Sequence, residues 1–346
     1  MRLGLLLRYA GEPGGPHMDP VLEAERLGYA SVWAGESYGT DAVTPIAWVL
    51  ARTHRIKAGT GIMQIPARTP ACAAMTAATL QAMSNDRFLF GIGPSGPQVI
   101  EGWHGVPYGK PLTRTKEYIE IVRKVFAREA PLQHRGEHYQ IPYAGPDASG
   151  LGKPLKSILH AIPVLQIYTA AISPAGLRTA GEVADGVLPF LMSPEHAGLV
   201  TEPVLEGRVT AGKGATLTGF DIAPFVPVAM GKDLQACRDA IKPQMALYIG
   251  GMGARGKNFY NDYVGRMGYE AAAARIQDAY LAGRRDEAIA AVPDPLIDET
   301  ALVGPPERIK DRLQAWKESS KDGKIGTMLL GGASIDALRV AAEAVL

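Results

Sequence analysis

Cysteine is scarce. Cys72 and Cys237 are the two in 346 residues, far apart and outside any C-x-x-C context. That excludes a disulfide framework and a thiolate metal knuckle, and the pair reads as reduced, buried thiols of a cytoplasmic protein. Long apolar runs are missing too: none approaches the ~18 residues a membrane-spanning helix needs, so no membrane partner is expected. The apolar residues 1–8 are too short for a secretory h-region with its cleavage site and read as a first strand. Neither charge sign dominates, with Lys+Arg 36 against Asp+Glu 35 and a net charge of +1. No basic block offers a footprint for nucleic acid. The G-x-G-x-x-G fingerprint of an open dinucleotide-binding sheet does not occur near the N-terminus. What is there is 47% hydrophobic and 21% charged, enough for a large core. The length suits one α/β barrel better than one ordinary domain.

Short apolar segments alternate with helix starts. A capping hydroxyl or carboxylate followed by Pro recurs at Asp19-Pro20, Thr44-Pro45, Thr69-Pro70, Ser173-Pro174 and Ser193-Pro194. Strands are predicted at 3–7, 31–33, 56–62, 88–92, 163–170, 186–190, 222–230 and 325–330. Helices are predicted at 111–128, 305–318 and 335–346. Repeated strand, loop and capped helix make a parallel sheet, and eight such units favour a (β/α)8 TIM barrel spanning 1–346 as a single domain. Two segments exceed what a βα connection requires. Residues 130–155, after the fourth helix, read as an extended hairpin and loop. Residues 233–300, after strand seven, read as helical pieces around Gly250-Gly-Met-Gly253, a turn between helices. Insertions of this kind cover a barrel mouth or make a subunit contact.

Two successive strands, 56–65 and 88–98, run into small residues, Gly59-Thr-Gly-Ile62 and Gly91-Ile-Gly-Pro-Ser-Gly96. Glycine lets backbone approach a flat ring or a phosphate, so neighbouring strand ends of this type suggest one shared ligand. His134 and His138 flank Glu137, a spacing that would suit a metal on a helix. Gly136 and the pattern of 139–143 argue for a hairpin instead, so no metal is expected.

With the order of Gly61-Ile62, Gly91 to Gln98, Ala170-Ala-Ile-Ser-Pro174, Ala184-Asp-Gly186 and Val303-Gly-Pro-Pro-Glu307, the chain resembles the bacterial-luciferase-like superfamily. It is most similar to members that use coenzyme F-420, an 8-hydroxy-5-deazaflavin. The resemblance covers essentially the whole chain. It implies a cis peptide at Gly61-Ile62 behind the deazaflavin ring, a polar pair Glu36-Ser37 near it, and Gln64 beside it. Gly93, Ser95, Gly96 and Gln98 would approach the ribityl chain and ring. Ala170, Ala171, Ile172 and Ser173 would offer backbone N–H groups to the phosphate. Relatives of this type pair as homodimers through their first helices and strands. Two departures stand out: Ser173-Pro174-Ala175 replaces a common Gly-Pro-Lys, and Ser37 and Ser95 stand where some F-420 dehydrogenases carry His and Glu.

The cofactor would carry the redox chemistry and the protein one proton. Glu36, a carboxyl beside Trp33 and Tyr38 at a strand end, is the first candidate donor; its bland role is to pair with an arginine or cap a helix. His104, in Glu101-Gly-Trp-His-Gly105, is the second, as histidine suits proton transfer near neutral pH; its bland role is a hydrogen-bonded loop residue. Tyr38 and Trp103 are candidate walls for a small-molecule substrate, Trp103 equally a core anchor. The leading expectation is an F-420-dependent reductase or dehydrogenase acting on an apolar carbonyl, imine or activated alkene. An FMN-dependent monooxygenase is the alternative enzyme, and a silent deazaflavin-binding protein the alternative from another class.

Overall fold

The computed structural model describes residues 1–7, 17–160, 162 and 165–346. Strands and helices alternate: β1 (Arg2–Leu6), α1 (Met18–Leu27), β2 (Ser31–Ala34), α2 (Val43–Arg52), β3 (Lys57–Thr60), α3 (Pro70–Met83), β4 (Phe88–Gly93), α4 (Pro97–Gly102), α5 (Pro111–Ala127), β5 (Ile167–Thr169), α6 (Pro174–Val183), β6 (Gly186–Val187) and α7 (Gly198–Thr210). The sequence-predicted start of β5 at Pro163 lies outside the described residues. Strand β7 comes in two parts, Asp221–Ile222 and Phe225–Met230, broken at Ala223-Pro224. Its first part pairs with β6 and its second with β8 (Thr327–Gly331), while β8 pairs with β1. All these ladders are parallel, in the order β6-β5-β4-β3-β2-β1-β8-β7. The broken strand therefore closes the sheet into a (β/α)8 barrel.

Between β7 and β8 the chain inserts α8 (Leu234–Ala246), α9 (Phe259–Val264), α10 (Glu270–Leu281), α11 (Arg285–Ala290) and α12 (Asp294–Thr300), then α13 (Pro306–Lys321); α14 (Ile335–Val345) ends the fold. Gly250 and Gly251 end a π-helical turn there and pack on Tyr280. The segment after α5 is the expected hairpin, pairing His134–Arg135 with Gln140–Ile141. Buried Glu117 pins it by accepting the amides of Glu137, His138 and Tyr139 at 2.8–3.0 Å. Burial alone would raise the Glu117 pKa, but those amides outweigh it and hold the carboxylate below its usual range. The two histidines part company: His134 turns to Glu117 and Glu120, His138 to Arg114.

Several helix starts differ from expectation. Thr69 and Ser173 cap α3 and α6. Helix α2 begins at Val43 because Asp41 accepts the amides of Val43 and Thr44, both at 3.0 Å, so Thr44 lies inside the helix. Helix α1 begins at Met18 with no side-chain cap, and Asp19 sits in its first turn. Ser193 makes only a turn, accepting the His196 amide at 3.3 Å, and α7 starts at Gly198. Cys237 is buried as expected, but Cys72 is exposed on α3.

Inside the barrel, Trp33, Leu89, Tyr168, Leu188, Ala223 and Leu329 form their own cluster. The Trp33 and Tyr168 rings meet edge-on at 5.1 Å. Gly59 makes room for the indole, since a Cβ there would lie 2.8 Å from Trp33 Cζ3. At the N-terminal end, buried Asp221 accepts Tyr168 Oη at 3.0 Å and Thr327 Oγ1 at 2.9 Å and pairs with Arg2 at 2.8 Å. That end of the barrel is closed by polar side chains.

Candidate active site

The other end is built around the strand termini the sequence singled out. Beyond β3 the Gly61–Ile62 peptide is cis. The Gly61 amide donates to Ala34 O at 2.7 Å and the Glu36 amide to Ile62 O at 3.3 Å, which ties the end of β2 to the end of β3. Met63–Gln64 then pairs with β4.

Glu36 is a hub and not a free acid. One oxygen accepts the Gln64 amide at 2.8 Å and Arg68 Nη1 at 2.7 Å, and the other accepts the Ala42 amide at 2.9 Å. Its side chain is 7% exposed. Its oxygens are committed to a guanidinium and two amides, the bland role weighed for Glu36, which argues against a proton donor there. The aromatic neighbourhood is also absent: Trp33 faces the barrel interior and Tyr38 is exposed. Arg68, not anticipated from sequence, is the partner.

What Glu36 positions is Gln64. This fully buried side chain donates from its amide nitrogen to Ser37 O at 2.9 Å, and its amide oxygen accepts from His104 Nε2 at 2.8 Å. Two candidates that stood apart in sequence thus become one unit, and Ser37 joins it through its backbone carbonyl.

Beside them lies an apolar floor. Leu6, Ile62 and Phe225 are partly exposed and pack on the interior cluster of Trp33 and Tyr168. Gly93 serves this floor: a Cβ there would lie 3.0 Å from Ile62 Cδ1 and 3.3 Å from Ala170 Cβ. Its bareness seats Ile62, where sequence reasoning had reserved the space for a ligand. Ser95 has φ +57° and its carbonyl accepts Tyr108 Oη at 3.2 Å. Gly96 caps α4. Gln98 lines a groove of about 400 Å³ with Glu101, Gly253, Ala254 and Lys257.

At the end of β5, the Ala170 amide is spent on Ile92 O at 3.0 Å, so it is removed from the set of phosphate donors. The amides of Ala171, Ile172 and Ser173 have no protein acceptor among the described residues. The insertion adds Arg266, which donates to Ile172 O at 3.3 Å and lies over the Tyr263 ring. A cation thus reaches this loop although Ala175 replaces the usual lysine.

Insertion residues also build the wall. Tyr248 packs against Phe190 at 4.6 Å and against Tyr260 at 4.9 Å, and Phe190 bridges to Phe225 of the floor. Burial pushes the hydroxyls of Tyr108, Tyr248 and Tyr260 above the ordinary tyrosine range, with Tyr38 adding to the effect at Tyr248. These groups stay neutral hydrogen-bonding walls. Tyr38 and Trp103 are 65% and 66% exposed, which excludes Trp103 as a core anchor and leaves both on the surface.

The family model described as luciferase-like monooxygenase matches residues 2–322. The chain belongs to the luciferase-like monooxygenase family. As a member it is an oxidoreductase on a barrel scaffold. A Mycobacterium tuberculosis relative, provisionally named a coenzyme F-420-dependent oxidoreductase, is 41% identical over 92% of each chain. The 5,10-methylenetetrahydromethanopterin reductase of Archaeoglobus fulgidus is 27% identical over 90% of this luciferase-like chain and 87% of its own. Among solved structures, the F-420-dependent tetrahydromethanopterin reductase of Methanopyrus kandleri superposes with a TM-score of 0.78 at 21% identity, covering 99% of this chain and 98% of its own. An FMN-bound Baeyer–Villiger monooxygenase component from Pseudomonas putida has a TM-score of 0.66 at 17% identity, covering 100% and 99%. Both likenesses concern the fold.

Proposed function

We propose that this chain is a coenzyme F-420-dependent oxidoreductase that moves hydride between the deazaflavin and an apolar carbonyl, imine or activated alkene. The observation that carries the reading is the combination at one mouth: an apolar floor of Leu6, Ile62 and Phe225, an imidazole bound to Gln64 two residues beyond Ile62, and amides at residues 171–173 with no acceptor among the described residues, reached by Arg266 two strand ends away. That set fits a flat ring with an anionic tail, the ring over the β3 end and the phosphate at residues 171–173. When bound, coenzyme F-420 supplies a two-electron hydride donor or acceptor at its C5 carbon. His104 holds or releases the accompanying proton, while Tyr108, Tyr248, Tyr260 and Phe190 shield the site from water and select an uncharged substrate.

Titration separates the enzyme readings. F-420 is expected to quench its own fluorescence on binding with micromolar affinity, and FMN to bind much more weakly; tight FMN binding alone would replace this reading with the monooxygenase. F-420 binding with no turnover over a broad carbonyl and enone panel would favour a silent binder.

A second copy of the chain is the proposed partner. Helix α3 carries no charged residue over its 14 positions yet exposes Met75 (58%) and Met83 (78%), and Trp48 of α2, under the Arg52 guanidinium at 5.0 Å, is 48% exposed. An uncharged helix with exposed methionines suits a homodimer. Light scattering is expected to give twice 36.8 kDa, and Trp48→Glu with Met75→Glu to give the monomer mass; a monomeric wild type rules the pairing out. None of the described helices is long and apolar enough to cross a membrane.

A further inference from the structure

We propose that Gln64 is a positioning residue that locks the neutral His104 ring in its Nε2–H tautomer, leaving Nδ1 as the atom that exchanges a proton with substrate. The inference rests on the reading of His104 as proton carrier given above.

Direction follows from chemistry. The Ser37 carbonyl can only accept, so the Gln64 amide nitrogen faces it at 2.9 Å. That turns Gln64 Oε1, which also only accepts, onto His104 Nε2 at 2.8 Å. A ring nitrogen meeting an acceptor at that distance carries a proton, and in neutral imidazole the other nitrogen then holds the lone pair. Gln64 is held in place. Its side chain is fully buried, its amide is bound by Glu36 at 2.8 Å, and Glu36 is bound by Arg68 at 2.7 Å. His104 itself is half-buried, and its Nδ1 has no protein partner among the described residues.

The amide oxygen of Gln64 is a dead end for a proton, unlike a carboxylate in the same place. Exchange therefore runs through Nδ1. In reduction of a carbonyl, Nδ1–H of the imidazolium would give its proton to the oxygen while a bound reduced deazaflavin would supply the hydride to the carbon, so that an alcohol and a neutral Nε2–H ring would remain. In oxidation Nδ1 would take the hydroxyl proton while the bound cofactor would accept the hydride.

The test is long-range 1H–15N correlation on full-length protein labelled at histidine, with His104→Ala assigning one ring among the seven. Under conditions where the ring is neutral, a protonated Nε2 and a bare Nδ1 are expected. A bare Nε2, or an even mixture, would overturn the lock. In Gln64→Leu the signals should move toward the tautomer average, with kcat down about tenfold and KM within about twofold. An unchanged ring pattern in that variant would also overturn the lock. If Gln64→Leu fails to fold, the wild-type spectrum still decides. A locked ring in an enzyme whose hydride transfer survives His104→Ala overturns the proton role instead, and absence of F-420 binding overturns the functional reading.

Discussion

His104→Ala is expected to lower the rate of hydride transfer about a hundredfold or more, the usual loss when a positioned proton carrier is removed. Affinity for F-420 should stay within about threefold, because among the described residues no hydrogen bond ties the ring to the floor or to the loop at residues 171–173. The side chain is half-buried and, among the described residues, has a single side-chain hydrogen bond, to Gln64. Stability should therefore fall by only about 1 kcal/mol, the net worth of one such bond. Single-turnover bleaching or recovery of the deazaflavin absorbance, read beside equilibrium binding, separates the two effects. Equal losses in binding and rate would mean that His104 shapes the pocket and carries no proton.

The largest effect on stability is expected at Arg68. Its guanidinium meets Glu36 at 2.7 Å, and the carboxylate is nearly closed off from solvent. Arg68→Met leaves that charge buried with only the Gln64 and Ala42 amides for company. Removing one partner of such a pair costs about 3–5 kcal/mol. Glu36→Gln in the same background should recover a good part of the loss, since an amide needs no countercharge. Urea unfolding of the two variants and wild type measures both numbers. A loss below about 1 kcal/mol would place the pair with ordinary surface ion pairs. Because Glu36 also holds the Gln64 amide, the single variant should weaken F-420 binding, and the double variant should restore it in part.

The barrel was legible because its units repeat locally. Apolar strands, glycine-bearing ends and the Thr69 and Ser173 caps each declare themselves within a few residues. The start expected at Thr44 went astray because a competitor lay just outside the pattern: Asp41 takes the amides of Val43 and Thr44. The site was legible by residue more than by role. Glu36 looked like an acid because its partner is 32 positions away in Arg68. Gln64 and His104 were both noticed, but only folding brings them together across 40 positions. Arg266, Tyr248 and Tyr260 were missed because their segment reads as generic helix. Its one local hint, aromatic residues flanking the paired glycines at 250–251, says nothing about which strand end they will reach.

The Asp221 cluster has a kinetic consequence. With Arg2, Tyr168 and Thr327 stoppering one end of the barrel, whatever settles on Ile62 and Phe225 enters and leaves by a single door. If the proposed cofactor lies flat on that floor, it is expected to arrive first and depart last, with the reacting partner coming and going above it. Such traffic is ordered. The upper visitor can be exchanged many times for one residence of the lower, so inhibitors that imitate the visitor should be uncompetitive with respect to the tenant beneath.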